Sequence, residues 1–247
     1  MDQESTVITH VERLIEKLEK NSKTASGLDV GQWLRFLAFD VVGDFTLNVQ
    51  FECVENETYH PWVALLMNWF RAVSFVTNAN AFGQLAPFIM LFAPMKHLKG
   101  VKDHLEMSAQ KVRERLETGD DPQRSDLWSY LLRNKGDKSL SLGEMEVNAA
   151  LFIVAATEPL SDVICGVLYY LARDPNVRQK LLKELKSCMA DGNVLNMTTT
   201  GRSPYLHAVI NESMRMYSPI PGGMRRKTPK EGAIISDIEI PPDVSTR

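Results

Sequence analysis

One stretch limits what this chain can fold into more than any other. Between about residues 142 and 172 lies "EMEVNAALFIVAATEPLSDVICGVLYYLA", an apolar run rich in small side chains. A helix of that length extends roughly 45 Å, longer than the usual globular helix. Thr157, Glu158 and Pro159 interrupt its middle. A proline there removes an internal hydrogen bond and clashes with the preceding turn, so a kink costing about 3 kcal/mol is expected unless the site needs it.

The surrounding segments are helical as well. Val7, Ile8, Val11, Leu14, Ile15 and Leu18 recur at three and four and predict an amphipathic helix ending before "NSKTASG". Asp29 suits the cap of the next helix, "VGQWLRFLAFDVVGDFTLN", which is apolar on most sides and is therefore expected inside a helical assembly. In "YHPWVALLMNWFRAVSFVTNANAFG" the proline stands where a missing N–H is tolerated. Its aromatic and aliphatic face reads as core packing, with a ligand-facing or membrane-grazing surface as the alternative. Pro87 and Pro94 bracket "FIMLFA", and a more polar helix follows from about 95 to 116. "DLWSYLLRN" reads as a short helix, and Asp174 with Pro175 opens another. A helix over about 205–216 stops at "YSPIPGG", and short strands are expected over about 224–240. The fold class is mainly α with a small β region near the C-terminus, in a single domain over 1–247.

Composition narrows the function classes. With 44% apolar residues, 24% charged residues and a net charge of -3, the chain has no general attraction for nucleic acid or an anionic bilayer. Cys53, Cys165 and Cys188 are odd in number and far apart, which favours separate thiols in a reducing compartment. No secretion signal is visible, and no stretch reaches 18 uninterrupted apolar residues, so the chain is expected to be soluble or at most peripheral. The expected location of the chain as given is cytoplasmic.

Few side-chain groupings carry chemistry by themselves. Glu212 and Arg215 are neighbours on one helix face, with Leu206, Val209 and Ile210 behind them, so the pair could be buried. Glu-x-x-Arg alone is common and is usually a surface bridge. His97 and His104 share a helix face but lack a third ligand nearby, so no metal site is expected. Phosphate-loop and Ser/His/acid patterns are missing.

The surroundings of the Glu/Arg pair add more. "SPYLHAVINESMRMYSPIPGGMRRKTPKEGAIISDIEIPP", the long small-residue helix upstream with its "DPNVRQKLLKELKS" continuation, and "WLRFLAFDVVGDFTLNVQFECVENETYHPWV" resemble cytochrome P450 monooxygenases of the filamentous-fungal type. The resemblance implies a partial P450-like helical fold, with Glu212 and Arg215 as the structural ExxR pair. Arg226 would be a possible haem-propionate contact, and Arg225 stands where many relatives have proline. Residues 155–159 match the oxygen-activation stretch, with Glu158 at the proton-delivery position. Pro159 replaces the usual threonine and offers no hydroxyl, while Thr157, about 100° round the helix, is a poor substitute.

The resemblance also implies what to look for elsewhere. The family's haem iron is held by a cysteine in a Phe-x-x-Gly-x-Arg-x-Cys-x-Gly loop, and none of the three cysteines stands in such a context. Nor do Trp33 and Arg35 reproduce the family's Trp-x-x-x-Arg haem contact. The expectation is an internal stretch of a longer protein, without independent monooxygenase activity and retaining no haem. Complete relatives use haem, an NADPH-dependent P450 reductase and a small apolar substrate at the endoplasmic reticulum membrane, often in secondary metabolism. The apolar region from Tyr59 to Phe82 would match the family's access-channel helices. Alternatives are an active P450 with an incomplete sequence and a noncatalytic helical interaction protein.

Overall fold

A second apolar helix, enclosed on nearly every side, organises the chain. The computed structural model describes residues 2–23, 27–93, 95–119, 127–133, 140–189, 195–221 and 226–246. Helix α1 spans Asp2–Ser22, and α2 spans Val30–Leu47. Asp29 caps α2 by accepting the Gln32 N–H at 3.0 Å. Twelve residues of α2 are buried, from Trp33 to Leu47, and they form the centre of the main core.

Short α3 (Cys53–Asn56) is joined to α2 by a charge. Its N-cap, Glu52, is left-handed and supplies no side-chain bond. The buried Asp40 carboxylate of α2 instead accepts the N–H groups of Cys53 and Val54, both at 2.9 Å. A carboxylate aimed at a helix start satisfies orphan donors through charge-assisted bonds. Burial pushes the neighbouring Cys53 thiol up to about 12, so it stays a protonated packing group.

Helix α4 (Pro61–Asn80) starts with proline at its first turn and packs on α6 (Met95–Glu117). The two approach so closely at Gly100 that an added Cβ would lie 2.6 Å from the Asn68 Cβ. Trp62, Val63 and Leu66 enter the core, which supports the packing reading of this end of the segment. Between α4 and α6, α5 (Ala86–Met90) and its flanks expose Phe82, Leu85, Phe88, Leu91 and Phe92. Helix α7 (Leu127–Arg133) seats Trp128 in the core.

The long helix is α8, Leu142–Arg173, and Pro159 lies inside it without ending it. It packs on α2, α6 and α11 (Pro204–Met216). By length and composition α8 is apolar enough to cross a membrane. α9 (Pro175–Cys188) and α10 (Met197–Thr200) lead into α11. Four short strands follow in two antiparallel pairs: β1 (Arg226–Lys227) with β4 (Ser245–Thr246), and β2 (Ala233–Ile235) with β3 (Ile238–Ile240). Ser236 and Asp237 both adopt positive φ, as a tight two-residue hairpin requires. β4 lies beyond the expected strand range, and Arg225 lies outside the described residues.

A buried relay pins three helices together. Trp62 Nε1 donates to His104 Nδ1 at 2.8 Å, and His104 Nε2 donates to the Ala150 carbonyl at 3.2 Å. Indole can only donate and a carbonyl can only accept, so His104 is neutral with both nitrogens used. It is fully buried and serves packing between α4, α6 and α8, not metal binding. Among the described residues no cluster of metal-ligating side chains occurs.

Two outcomes follow from these buried polar contacts. Asp40→Ala strands two amides and is expected to lower the unfolding free energy by about 3 kcal/mol in urea titration. Burial depresses the His104 pKa, against a smaller opposing effect of the Ala150 carbonyl. The unfolded chain therefore binds a proton first, so this contribution is present above the ordinary value of 6.5 and is lost as pH falls from there towards the native value. His104→Gln is expected to flatten that part of the stability–pH curve.

Candidate functional site

The interrupted centre of α8 presents two unlike faces. Ser141 and Glu144 close a capping box at its start: Glu144 Oε2 accepts the Ser141 N–H at 2.8 Å. At its end Asp174 turns the chain and caps α9, accepting from Asn176 and Val177. Between these caps Ala149, Ala150, Ile153, Val154 and Thr157 face the core. Val147, Leu151, Phe152, Ala155, Ala156 and Leu160 form an exposed apolar stripe. Its middle is made of alanines, so a flat group can approach the backbone there.

Thr157 and Pro159 contribute no hydroxyl to that stripe. The Thr157 side chain is fully buried and donates back to the Ile153 carbonyl at 2.5 Å. Ser161 donates to the Glu158 carbonyl at 2.9 Å. Such back-bonding is typical of hydroxyl residues inside helices. Pro159 has no N–H to give the Ala155 carbonyl one turn earlier.

Glu158 lies on the flank of the stripe, towards α2. Its Oε2 is 3.6 Å from Arg35 Nε, an ion pair longer than a good hydrogen bond. Its Oε1 is buried without a hydrogen-bond partner. Burial raises the Glu158 pKa most, the Arg35 charge and contact pull it down, and the Asp162 charge pushes it up again. Arg35 loses some stability to burial, yet the Tyr59 hydroxyl together with Glu158 and Asp162 leaves its charged form strengthened. Tyr59 is itself fixed edge-on against Phe36, with ring centroids 4.8 Å apart.

In the sequence Arg35 stands with Trp33 at a spacing that does not match the family's haem contact, and a different signal points to it. It is one of three charged residues on a helix that is apolar on most sides, and such a charge needs a partner.

The helix α11 is anchored from outside. Its start at Tyr205 and Leu206 is capped by the α9 residue Glu184, whose two carboxylate oxygens accept their N–H groups at 3.0 and 2.9 Å. Ser213 and Val209 are buried, but the Glu212–Arg215 pair points to solvent. Both contacts of its bidentate fork measure 2.7 Å. Of the two readings left open for the pair, buried or surface bridge, the structure has the exposed one: on this amphipathic helix the inward positions are Val209 and Ser213. Their fork strengthens each charge, lowering the Glu212 pKa. A groove of about 700 Å³ beside Glu212 runs between α8, α9 and α11, lined by Tyr170, Arg173, Tyr205 and Met216. It reaches none of Ala155, Ala156 or Glu158.

The remaining candidates stay apart from Glu158 in the pattern of contacts. Arg226 pairs in strand register with Thr246 and is exposed. Cys53 is buried beside Asp40. Cys165 lies against Gly31 of α2, where an added Cβ would be 3.7 Å from its sulfur. Cys188 Sγ sits 3.3 Å from the Ser203 hydroxyl. Cys53 is buried, while Cys165 and Cys188 are partly exposed.

Comparison with known proteins gives a consistent assignment. The family model described as Cytochrome P450 matches residues 2–245. The chain is 32% identical to cytochrome P450 monooxygenase astA of Talaromyces wortmannii over 240 residues, covering 97% of this chain and 48% of that protein. It is 30% identical to a trichothecene C-15 hydroxylase of Fusarium sporotrichioides, covering 98% of this chain and 49% of that one. The chain thus spans about half the length of the curated relatives it matches. Its fold superposes on the crystal structure of the cytochrome P450DA heme domain with a TM-score of 0.76 at 19% identity, covering 99% of this chain and 51% of that one.

The different settings of the two α11 features predict different sensitivities. Arg215→Ala is expected to leave the thermal midpoint unchanged, because both members of its pair are exposed. Glu184→Ala uncaps α11 and is expected to cost about 1 kcal/mol, read from the same melting curves.

Proposed function

The chain belongs to the cytochrome P450 family, and on that premise we propose that it forms the oxygen-side wall and the ExxR region of a haem monooxygenase without carrying monooxygenation by itself. The single observation behind the second half is the placement of the cysteines. Haem needs a flat, largely apolar face on one side and a thiolate under the iron on the other. Ala155, Ala156, Leu151 and Phe152 fit the first requirement. Cys53, Cys165 and Cys188 do not fit the second: Cys53 is buried with its thiol held protonated, Cys165 lies against Gly31 of α2, and Cys188 lies beside the Ser203 hydroxyl.

Bound haem would supply reductive oxygen activation and insertion of one oxygen atom into a substrate. The residues here have narrower tasks. The stripe on α8 excludes water and receives an apolar surface, and Glu158 holds a proton at its flank. Glu212 and Arg215 present a preformed bidentate fork to a further segment of the fold, the role of the ExxR pair. Arg226 is the proposed partner of a haem propionate. A small apolar substrate, supply of electrons by an NADPH-dependent reductase and a place in secondary metabolism complete the reading. Similarity to hydroxylases of trichothecenes supports this substrate class.

We assign such a protein to the endoplasmic reticulum membrane. From Ala72 to Met95 there is no charged residue, and the exposed aromatic and aliphatic side chains of this stretch suit contact with lipid. Lys96, Lys99 and Lys102 follow directly, and such cations suit anionic headgroups.

The decisive test is spectroscopic. The purified chain, supplied with haem and reduced under carbon monoxide, is expected to lack the red-shifted Soret band of a thiolate–iron–carbonyl complex. Appearance of that band would show that one of the three cysteines can ligate iron after all, and the noncatalytic reading would be withdrawn.

A further inference from the structure

We infer that Arg35 is the positioning residue for Glu158, holding one carboxylate oxygen from α2 while the other, buried and unpartnered, is the proton-carrying atom. The inference rests on reading Glu158 as the proton-delivery residue, and it adds a residue for which family resemblance supplied no role.

Local chemistry leaves Glu158 to act alone. In the turn from Ala155 to Pro159 the two alanines have no polar side-chain atoms. The Thr157 hydroxyl is committed to the Ile153 carbonyl and fully buried, and Pro159 has no hydroxyl. The one side chain of this turn that can release or accept a proton beside the stripe is therefore Glu158.

Its two oxygens are not equivalent. Oε2 faces the Arg35 guanidinium at 3.6 Å, whereas Oε1 is buried and unpartnered. An acceptor buried in that way needs a donor, and a water or the carboxylic proton itself meets the need. At 3.6 Å Arg35 acts through its charge more than through a directed bond. The carboxylate is thus restrained without being locked.

The groups around the pair set a balance. Asp162, one turn further along α8, repels the Glu158 charge, while Arg35 attracts both carboxylates. Tyr59, from the segment before α4, also favours the charged form of the guanidinium. Burial favours the protonated carboxyl and the Arg35 charge favours the ionised form. Removing that charge raises the proton affinity of the carboxyl further.

The Arg35 side chain is 39% exposed and that of Glu158 is 19% exposed, so solvent reaches the guanidinium more freely than the carboxylate. The proton is taken up and released at the Glu158 carboxylate, and no other bond is made or broken.

The test is a carboxyl titration by NMR on the full 247-residue chain carrying side-chain carbon-13 glutamate, with Glu158→Gln identifying the signal. In Arg35→Gln the proton affinity of Glu158 is expected to rise about tenfold, while Arg35→Lys keeps most of the native value. An unchanged Glu158 titration in Arg35→Gln overturns the inference. If that variant does not fold, Tyr59→Phe is read in its place: a smaller rise in the same signal supports the inference, and no rise overturns it.

A second arm separates this inference from the reading beneath it. In a haem-bearing, longer form of the protein, Arg35→Gln is expected to shift the pH profile of product formed per electron consumed in step with the titration. If Glu158→Gln leaves that ratio untouched, the proton-delivery role fails. The NMR result still decides whether Arg35 governs the carboxylate.

Discussion

The enclosure of α2 is the constraint on which the rest of the structure depends. A helix buried on most sides can carry a charge only where a partner meets it, because an unpaired charge in the interior is far costlier than an apolar side chain. α2 carries three charged residues, and each ties it to a different neighbour. Asp44 accepts from His10 of α1 at 3.0 Å. Asp40 caps α3. Arg35 meets Glu158 of α8. The contacts thereby fix the rotation of α2 about its axis, which an apolar surface on every side would leave loosely specified.

That rotation governs the candidate site. With α2 held, α8 buries Ile153, Val154 and Thr157 against its neighbours, and the alanine stripe is left on the other side. Glu158 falls at the boundary between the two faces, where it is buried enough for its proton affinity to rise and close enough to Arg35 for the rise to be checked. The same residue placed on the stripe would be an ordinary solvated carboxylate. Placed inward it would need a full complement of donors, which the apolar core does not contain. Pro159 removes both a hydroxyl and a backbone donor from the following position, so the polar character of this turn is concentrated in one side chain.

The α11 region follows a different logic. Its helix is positioned by Glu184 from α9 and by two buried residues, and its charged fork is directed outward. A bidentate Arg–carboxylate pair is rigid and directional, suited to receive a further group.

Much of this was legible in the residues alone. The helical class, the cap at Asp29, the proline start at Pro61, the long α8 and the Asp174–Pro175 restart are local features, written in periodicity and capping chemistry over a few residues. The family was legible because short motifs kept their order and spacing along nearly the whole chain, and the match over residues 2–245 bears it out. What tertiary structure alone decided is which side of each helix meets which neighbour. Arg35 and Glu158 are separated by more than a hundred residues, and no spacing rule links them. Glu212 and Arg215 are three apart, so their contact was readable, but their exposure was not, because burial depends on what packs over a face. Periodicity specifies that a helix has a buried side; only the assembled neighbours determine where its charges find their partners.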